Sequence, residues 1–216
     1  TKQGPSVIGI VMATMLEAAP FITGLSLVKE KDGPFPVYGN EQVRLVISGI
    51  GKTCSAMATT YFIQACQPSC ICNIGASGST SGRHLPGEIY HIAKIIEPDR
   101  LDLKAGTPHE HTPDILPGFP LATLSTRDSP LRDPGEREGA AAYAQLADME
   151  GASVAQVCRH FNVRCFLFKF VSDTPEHTLN SDIVRNIESH RDACAHFFRH
   201  SILPGLIAAK AAATQQ

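Results

Sequence analysis

The chain has 216 residues, of which 43% are hydrophobic and 19% charged, and its formal net charge is −2. This length suits one α/β domain with a substantial buried core, and we expect residues 1–216 to form that single domain. Basic residues are scattered along the chain, so the charge pattern indicates neither a nucleic acid nor an anionic membrane as partner.

The first predicted strand is the apolar run from Ser6 to Met12, rich in β-forming residues. Thr14 follows as the N-cap of a helix, and Glu17 falls in the first turn of that helix. A glutamate in a first turn can simply stabilise the helix dipole. Glu17 also stands near the C-terminal end of a strand, where α/β proteins bind ligands. The residues alone leave both roles open.

A Gly/Pro-rich hairpin region, Asp32 to Asn40, and a predicted strand, Val43 to Ser48, lead to the loop Gly49-Ile50-Gly51-Lys52-Thr53. The loop imitates the end of a phosphate-binding P-loop. The full motif needs a further glycine at the place that Val46 occupies inside the strand, so we do not expect an ATP site. The loop is interpreted as a glycine-rich turn from a strand into a helix.

The next buried strand is predicted from Ser69 to Ile74, and it ends at the small residues Gly75-Ala76-Ser77-Gly78. Small residues at a strand end let backbone amides approach a ligand closely. The run GASGSTSG does not meet the GxGxxG spacing, so a dinucleotide site is only weakly supported.

A strand is predicted from Glu88 to Ile96, followed by a segment from Glu97 to Glu138 that is rich in Pro, Gly and charge. A short strand, Leu121 to Ser125, is expected inside this segment. The tripeptide His109-Glu110-His111 has neither helical spacing nor an evident third ligand. We therefore interpret it as part of a solvated loop and expect no metal site.

The most informative stretch follows from Leu146 to His177. Apolar residues at i, i+3, i+4 and i+7 predict a helix that Glu150 opens and Asn162 closes. The nearly unbroken apolar run from Arg164 to Val171 predicts a strand covered on both faces in a parallel sheet. Its C-terminal end is Ser172-Asp173, where an acid faces the ligand crevice. Lys169 and Asp173 are an even number of residues apart, so both side chains are expected on one side of the strand.

The last segment, Ser181 to Lys210, has a helical pattern with an apolar stripe, interrupted at Pro204-Gly205. Seven cysteines, an odd number in largely apolar segments, indicate free thiols in a reducing compartment rather than a disulfide framework. The sequence shows neither the apolar core of a signal peptide nor a long apolar span. We therefore expect a cytoplasmic protein that does not enter a membrane.

Four stretches of the sequence together resemble the nucleoside phosphorylase superfamily, and most closely its methylthioadenosine/S-adenosylhomocysteine nucleosidase branch. They are IGIVMATMLEAAPF near the N-terminus, SGIGKTCSAMATT at 48–60, CNIGASGS at 72–79, and ADMEGASVAQVC with FNV and KFVSD in the central stretch. Most of the chain fits in the right order, whereas residues 97–145 fit poorly. The resemblance implies an α/β fold with a central mixed, twisted β-sheet flanked by helices.

The resemblance also implies an N-glycosidase that hydrolyses a purine nucleoside, specifically an adenosine derivative modified at the 5′ position. Asp173 would protonate the base, and Ser172 would help to position it. Glu17 would orient the attacking water, and Lys169, which fills the place of an arginine in the resembled enzymes, would stabilise the charge of that glutamate. These roles suit the chemistry, because the base is a poor leaving group and the sugar carbon becomes cationic.

Substrate binding is implied for a second set of residues. Glu150 would accept hydrogen bonds from the ribose hydroxyls, and Met149 would pack on the sugar face. The small-residue loop would lie over the ribose, and the glycine-rich turn would also touch the substrate; the residues concerned are Ala76, Ser77, Gly78 and Ile50. No metal or organic cofactor is needed. The resemblance further implies a homodimer in which the partner helps to cover the 5′ end of the substrate.

Two departures from the family pattern bear on the function. Phosphorylases of the superfamily carry a phosphate-binding arginine where this chain has Asn73, and a neutral amide cannot replace its planar fork. Water is then the favoured nucleophile. The base-stacking aromatic of the nucleosidases is missing from Ser125–Pro130, so Arg127 is a candidate for contact with substrate or a neighbouring subunit, or for a surface role. A phosphate-dependent phosphorylase and a non-catalytic nucleoside-binding protein remain the alternatives.

Overall fold

The structure is a computed structural model that describes residues 7–30, 33–177 and 179–213. Ser6 and Asp32, the first residues of two segments predicted above, lie outside the described residues. Among the described residues, no helix is both long enough and apolar enough to cross a membrane.

The described residues form ten strands and six α-helices. The strands are β1 (Ile8–Met12), β2 (Val28–Lys29), β3 (Val37–Gly39), β4 (Val43–Ile47), β5 (Cys70–Ser79), β6 (Ile89–Leu101), β7 (Pro108–His111), β8 (Leu121–Thr126), β9 (Leu146–Asp148) and β10 (Arg164–Asp173). The helices are α1 (Met15–Gly24), α2 (Lys52–Cys66), α3 (Pro134–Ala141), α4 (Gly151–His160), α5 (Asn180–Phe197) and α6 (Leu203–Ala213).

All ten strands belong to one mixed sheet, in the order β10-β6-β8-β9-β5-β1-β4-β3-β2, with β7 beside β6. The pairs β1–β4, β1–β5, β5–β10, β6–β8 and β8–β9 are parallel, and the others are antiparallel. Because β10 also pairs with β5, the five strands β10, β6, β8, β9 and β5 close on themselves. The expected mixed sheet flanked by helices is confirmed.

Strand β10 lies in the centre of this arrangement, as its apolar run predicts. Phe166, Phe168 and Phe170 pack into one apolar cluster, which includes residues of α1 and α5. Leu167 and Val171 pack into a second cluster, which includes residues of α2 and α4. Alternate side chains thus meet helices on opposite faces. The strand is covered on both faces, although its neighbours are parallel β5 and antiparallel β6 rather than two parallel strands.

Helix α4 begins and ends where the sequence predicts. Glu150 is its N-cap residue, and Asn162, with a φ of 54°, follows the last turn in the left-handed region. Asparagine tolerates that conformation better than most residues, which explains why it ends the helix.

The prediction of a solvated loop at His109-Glu110-His111 is wrong. Strand β6 continues to Leu101, and β7 pairs with it, so the tripeptide belongs to a strand. The His111 ring is buried, with Nε2 2.6 Å from Glu97 Oε2. The described residues contain no group of three or more His, Cys, Asp or Glu placed to hold a metal ion.

The C-terminal helical segment is interrupted earlier than predicted. A five-residue π-helical stretch, Phe198–Ile202, joins α5 to α6. Pro204 lies in the first turn of α6, where a missing N–H is tolerated. The apolar stripe of this segment covers one face of the sheet through Cys194, Phe198 and Leu206.

Candidate active site

A cavity of about 310 Å³ opens at the carboxyl ends of β1, β5 and β10, the side at which α/β sheets bind ligands. All but one of the residues predicted for catalysis or binding line it. They are Glu17, Ile50, Ala76, Ser77, Gly78, Met149, Glu150, Ser172 and Asp173. Lys169 is buried beneath the cavity rather than in its lining, with 1% of its surface exposed.

Glu17 caps a helix and also lines the cavity, so its position is compatible with both of the roles that the sequence leaves open. Its Oε2 accepts hydrogen bonds from the Thr14 backbone N–H (3.2 Å) and hydroxyl (2.6 Å), while the Thr14 hydroxyl accepts from the Glu17 N–H. This capping box opens α1. The other oxygen, Oε1, accepts a 2.8 Å hydrogen bond from the N–H of Ala76. One carboxylate therefore caps a helix and also reaches the cavity.

The sequence predicts that the strand ends at Ile74 and that the small residues after it form a loop. In the structure these residues instead continue β5 to Ser79. Their size makes room for two carboxylates. A Cβ at Gly75 would lie 2.9 Å from Glu17 Oε1, and a Cβ at Gly78 would lie 2.6 Å from Asp173 Oδ2. Larger side chains would displace both acids, because contacts this short are sterically forbidden.

Asp148 also lines the cavity, although no sequence pattern singles it out. Its Oδ2 accepts from Lys169 Nζ and from the N–H of Gly151, each at 2.8 Å, and its Oδ1 accepts from the Thr126 hydroxyl at 2.6 Å. Asp148 thus binds the N-terminus of α4 in the manner of a cap. The side chain of Glu150 is left to accept a 2.9 Å hydrogen bond from the Gly51 N–H. An aspartate two residues before the predicted helix start is a weak signal for this role.

The floor of the cavity, where Glu17, Asp148 and Glu150 surround Lys169, holds more carboxyl groups than ammonium groups. Burial raises the pKa of Glu150 to about 7, and the neighbouring Asp148 adds to the rise, against the opposing effect of Lys169. Burial alone would lower the pKa of Lys169, but Asp148, Glu150 and Glu17 together raise it. Three carboxyl groups therefore share one ammonium.

Asp173 pairs with Arg137 and not with Lys169, although the sequence analysis expects Lys169 and Asp173 on one side of the strand. Its Oδ2 accepts a 2.8 Å hydrogen bond from the Arg137 guanidinium, and its Oδ1 accepts one of 2.8 Å from the Ser172 hydroxyl. The register of β10 against β5 shifts between Val171 and Asp173, so simple alternation does not carry from Lys169 to Asp173. Arg137 lies in α3, inside the segment that the sequence motifs do not cover.

Arg127 and Asn73, the residues at the two departures from the family pattern, lie in different parts of the structure. Arg127 lines the cavity, 3.1 Å from Glu136. Asn73 is buried in the sheet, where its amide donates to the Val11 carbonyl at 3.1 Å, and it does not line the cavity. The apolar wall comes from α1 and α5 through Leu16, Ile183 and Ile187.

Comparisons with known proteins agree with this architecture. A model of the phosphorylase superfamily matches residues 123–202. A 5′-methylthioadenosine/S-adenosylhomocysteine nucleosidase from Arabidopsis thaliana is 30% identical over 203 residues, which cover 80% of each chain. The nucleosidase of the same name from Bacillus subtilis is 29% identical over 161 residues, covering 63% of this chain and 70% of the relative.

Solved structures show the same fold. A nucleosidase of that name from Helicobacter pylori superposes with a TM-score of 0.82 at 21% identity, covering 91% of this chain and 97% of the other. A futalosine hydrolase from Helicobacter pylori superposes with a TM-score of 0.80 at 22% identity, covering 90% and 96%. Proteins with different named substrates therefore share this fold.

Proposed function

Because the chain belongs to the phosphorylase superfamily, in its 5′-methylthioadenosine/S-adenosylhomocysteine nucleosidase branch, and is by that membership a hydrolase of N-glycosyl compounds, we propose that it hydrolyses a 5′-modified adenosine. The observation that carries the proposal is the cavity itself. It joins the carboxylates of Glu17 and Glu150 to Asp173 at the ends of neighbouring strands. Cleavage of an N-glycosidic bond needs a negative environment for the cationic sugar and a proton for the base.

We assign the sugar side of the cavity to Glu17 and the groups beneath it. Glu17 orients a water molecule toward the anomeric carbon. Lys169 and Asp148 hold the floor in place through their 2.8 Å ion pair. The excess of carboxylates over ammonium groups stabilises the positive charge that develops on the sugar, because such preorganised groups act most strongly in a water-poor site.

We assign the base side to Asp173. A carboxyl group there delivers a proton to the imidazole ring of the purine, and Ser172 orients it through the hydrogen bond to Oδ1. Glu150 accepts hydrogen bonds from the ribose hydroxyls and Met149 packs on the sugar. The backbone of Ala76–Gly78 and the side chain of Ile50 complete the wall around the substrate.

A phosphorylase is the second candidate, and one observation favours it. Arg127 and Arg132 line the cavity and supply guanidinium groups of the kind that bind phosphate. The family resemblance argues against a phosphorylase, because Asn73 stands where phosphorylases carry a phosphate-binding arginine. A non-catalytic binding protein is disfavoured, since burying Lys169 and its carboxylate partners costs several kcal/mol per ion before pairing and gains nothing for a scaffold.

The deciding experiment incubates the purified protein with a panel of purine nucleosides that differ in the base and in the 5′ substituent. Each reaction is run in phosphate-free buffer and again with added phosphate, and the products are separated by chromatography. We expect free base and free pentose at a rate that phosphate does not change. A sugar 1-phosphate as the main product would favour the phosphorylase. Absence of any cleavage across the panel would overturn the proposal.

We further propose that the enzyme is a homodimer acting in the cytoplasm. The dimer rests on analogy with the family. The compartment is supported by the seven cysteines, all of which are free thiols in the structure. Small-angle scattering at micromolar concentration should give the mass of two chains, and a monomeric mass would contradict the dimer.

A further inference from the structure

Arg137 is one of the most deeply buried charged residues of the protein, with 2% of its surface exposed. It lies in α3, a helix of eight residues. Burying a guanidinium is costly unless hydrogen bonds and an opposite charge replace its hydration. The reason for its burial should therefore lie in the groups that it contacts.

The guanidinium joins three separate parts of the cavity wall. It donates to the Ser79 carbonyl at the end of β5 (2.6 Å) and to the Leu131 carbonyl in the loop after β8 (2.6 Å). It also donates to Asp173 Oδ2 at the end of β10 (2.8 Å). Leu131, Asp173 and Arg137 itself all line the cavity. One side chain thus ties the loop and both strand ends together.

The orientation of Asp173 depends on this arginine. Ser172 occupies one lone-pair direction of Oδ1, and Arg137 occupies one of Oδ2. A carboxylate offers about four such positions, so one on each oxygen remains for a ligand. Gly78 leaves room for Oδ2 in this position, since a Cβ there would lie 2.6 Å from that oxygen. Without Arg137, Oδ2 would lose its donor, and the loop at Leu131 would lose its link to β10.

We propose that Arg137 is a positioning residue for catalysis, which fixes the Asp173 carboxyl group and the loop at Leu131 in the geometry that the leaving base requires. The inference rests on the proposed function, because it concerns the same cavity. Arg137 acts through Asp173 and through the loop, and it takes no part in bond making. Errors of about 1 Å in such a geometry can reduce a rate by about 10²-fold.

The test compares wild type with Arg137→Met and Arg137→Lys on the best substrate from the panel. We expect Arg137→Met to lower kcat by about 10- to 100-fold, with KM changing by less than about threefold. Arg137→Lys should recover part of kcat, because an ammonium can reach one acceptor but not all three. Arg44→Met is the matched control, since Arg44 pairs with Glu30 at 2.7 Å in a half-exposed position outside the cavity. It should keep the wild-type kcat.

A double-variant cycle separates positioning from simple loss of structure. If Arg137 acts through Asp173, Arg137→Met in an Asp173→Asn background should cost much less than in wild type. Circular dichroism checks folding, and if Arg137→Met does not fold, the Arg137→Lys cycle decides. Equal costs in both backgrounds, or an unchanged kcat in the single variant, would overturn the inference and leave the hydrolase assignment intact. A wild-type protein that cleaves no nucleoside would instead overturn the proposed function.

Discussion

The segments 146–173 and 97–145 build the same cavity in different ways. The first carries Asp148, Glu150, Lys169 and Asp173, which lie within one strand–helix–strand unit, where Lys169 pairs with Asp148. The second carries Arg127 and Arg137, which reach the cavity from a loop and a short helix. The motifs quoted in the sequence analysis lie in the first segment and not in the second, although the family model matches residues 123–202 and so reaches into both. The residues that the motifs predict thus come from one unit, whereas Arg137 completes the wall through contacts with residues far away in the chain.

The largest expected effect is that of a substitution at Asp173, in the segment 146–173. Asp173→Asn keeps the size of the side chain but removes the transferable proton, so kcat should fall by about 10²–10⁴-fold while substrate binding is better preserved. Steady-state kinetics measures the change. Asp102→Asn is the control, since Asp102 accepts backbone hydrogen bonds from Lys104 and Ala105 in a loop away from the cavity. A variant retaining more than about a tenth of the wild-type kcat would show that Asp173 is not the acid.

The second prediction compares the buried pair Lys169–Asp148 of the first segment with an exposed pair that Glu110 of the second segment forms. Lys169→Met leaves Asp148 buried without its cation, and breaking a buried pair from one side typically costs about 3–5 kcal/mol of unfolding free energy. Lys94→Met removes the pair with Glu110, which has a similar 2.7 Å distance but side chains that are 43% and 54% exposed. Exposed pairs contribute at most about 1 kcal/mol. Urea unfolding should separate the two variants, and similar losses would refute the argument from burial.

The sequence predicts what depends on neighbouring residues. The N-cap at Thr14, the ends of α4 and the two-sided burial of β10 all follow from patterns within a few residues. The contacts of Arg137 join residues 36 and 58 positions apart, and the pair His111–Glu97 spans 14. Periodicity contains no information about such distant pairs. Asp148 was missed for another reason, since its cap role resembles the one expected of Glu150.

The third prediction concerns Glu97, in the segment 97–145. Burial alone would raise the pKa of Glu97, but hydrogen bonds from His111 and Lys52 outweigh it and lower that pKa to about 2. A lowered carboxyl pKa stabilises the folded state above the unfolded value near 4.5, and the contribution disappears as the pH falls toward 2. Its size is on the order of 2 kcal/mol.

Glu97→Gln should therefore be less stable than wild type at pH 6, and the gap should close as the pH is lowered through this window. Chemical denaturation of both proteins at a series of pH values measures the gap. Asp99→Asn tests the neighbouring, more exposed partner of Lys52 and should show a smaller gap. A gap that does not depend on pH would mean that the loss comes from packing rather than from charge.

The smallest expected effect concerns Glu150, which lies in the segment 146–173 and in the floor of the cavity. Burial and Asp148 raise the pKa of Glu150 to about 7, so this carboxyl group titrates near neutral pH. If the ionised form accepts hydrogen bonds from the ribose hydroxyls, kcat/KM rises with pH and levels off above about 7. One pH unit below the pKa, about a tenth of the group is ionised, so kcat/KM should be about tenfold below its plateau.

Glu150→Gln removes the titrating group but keeps a hydrogen-bond acceptor, so its residual kcat/KM should lose this rising limb. The profile is measured under conditions in which the substrate does not itself titrate, with Glu88→Gln as a control outside the cavity. Because kcat/KM reports ionisations of the free enzyme, the limb belongs to the empty cavity. Persistence of the same limb in Glu150→Gln would assign it to another group and would contradict the role of Glu150 in this pH dependence.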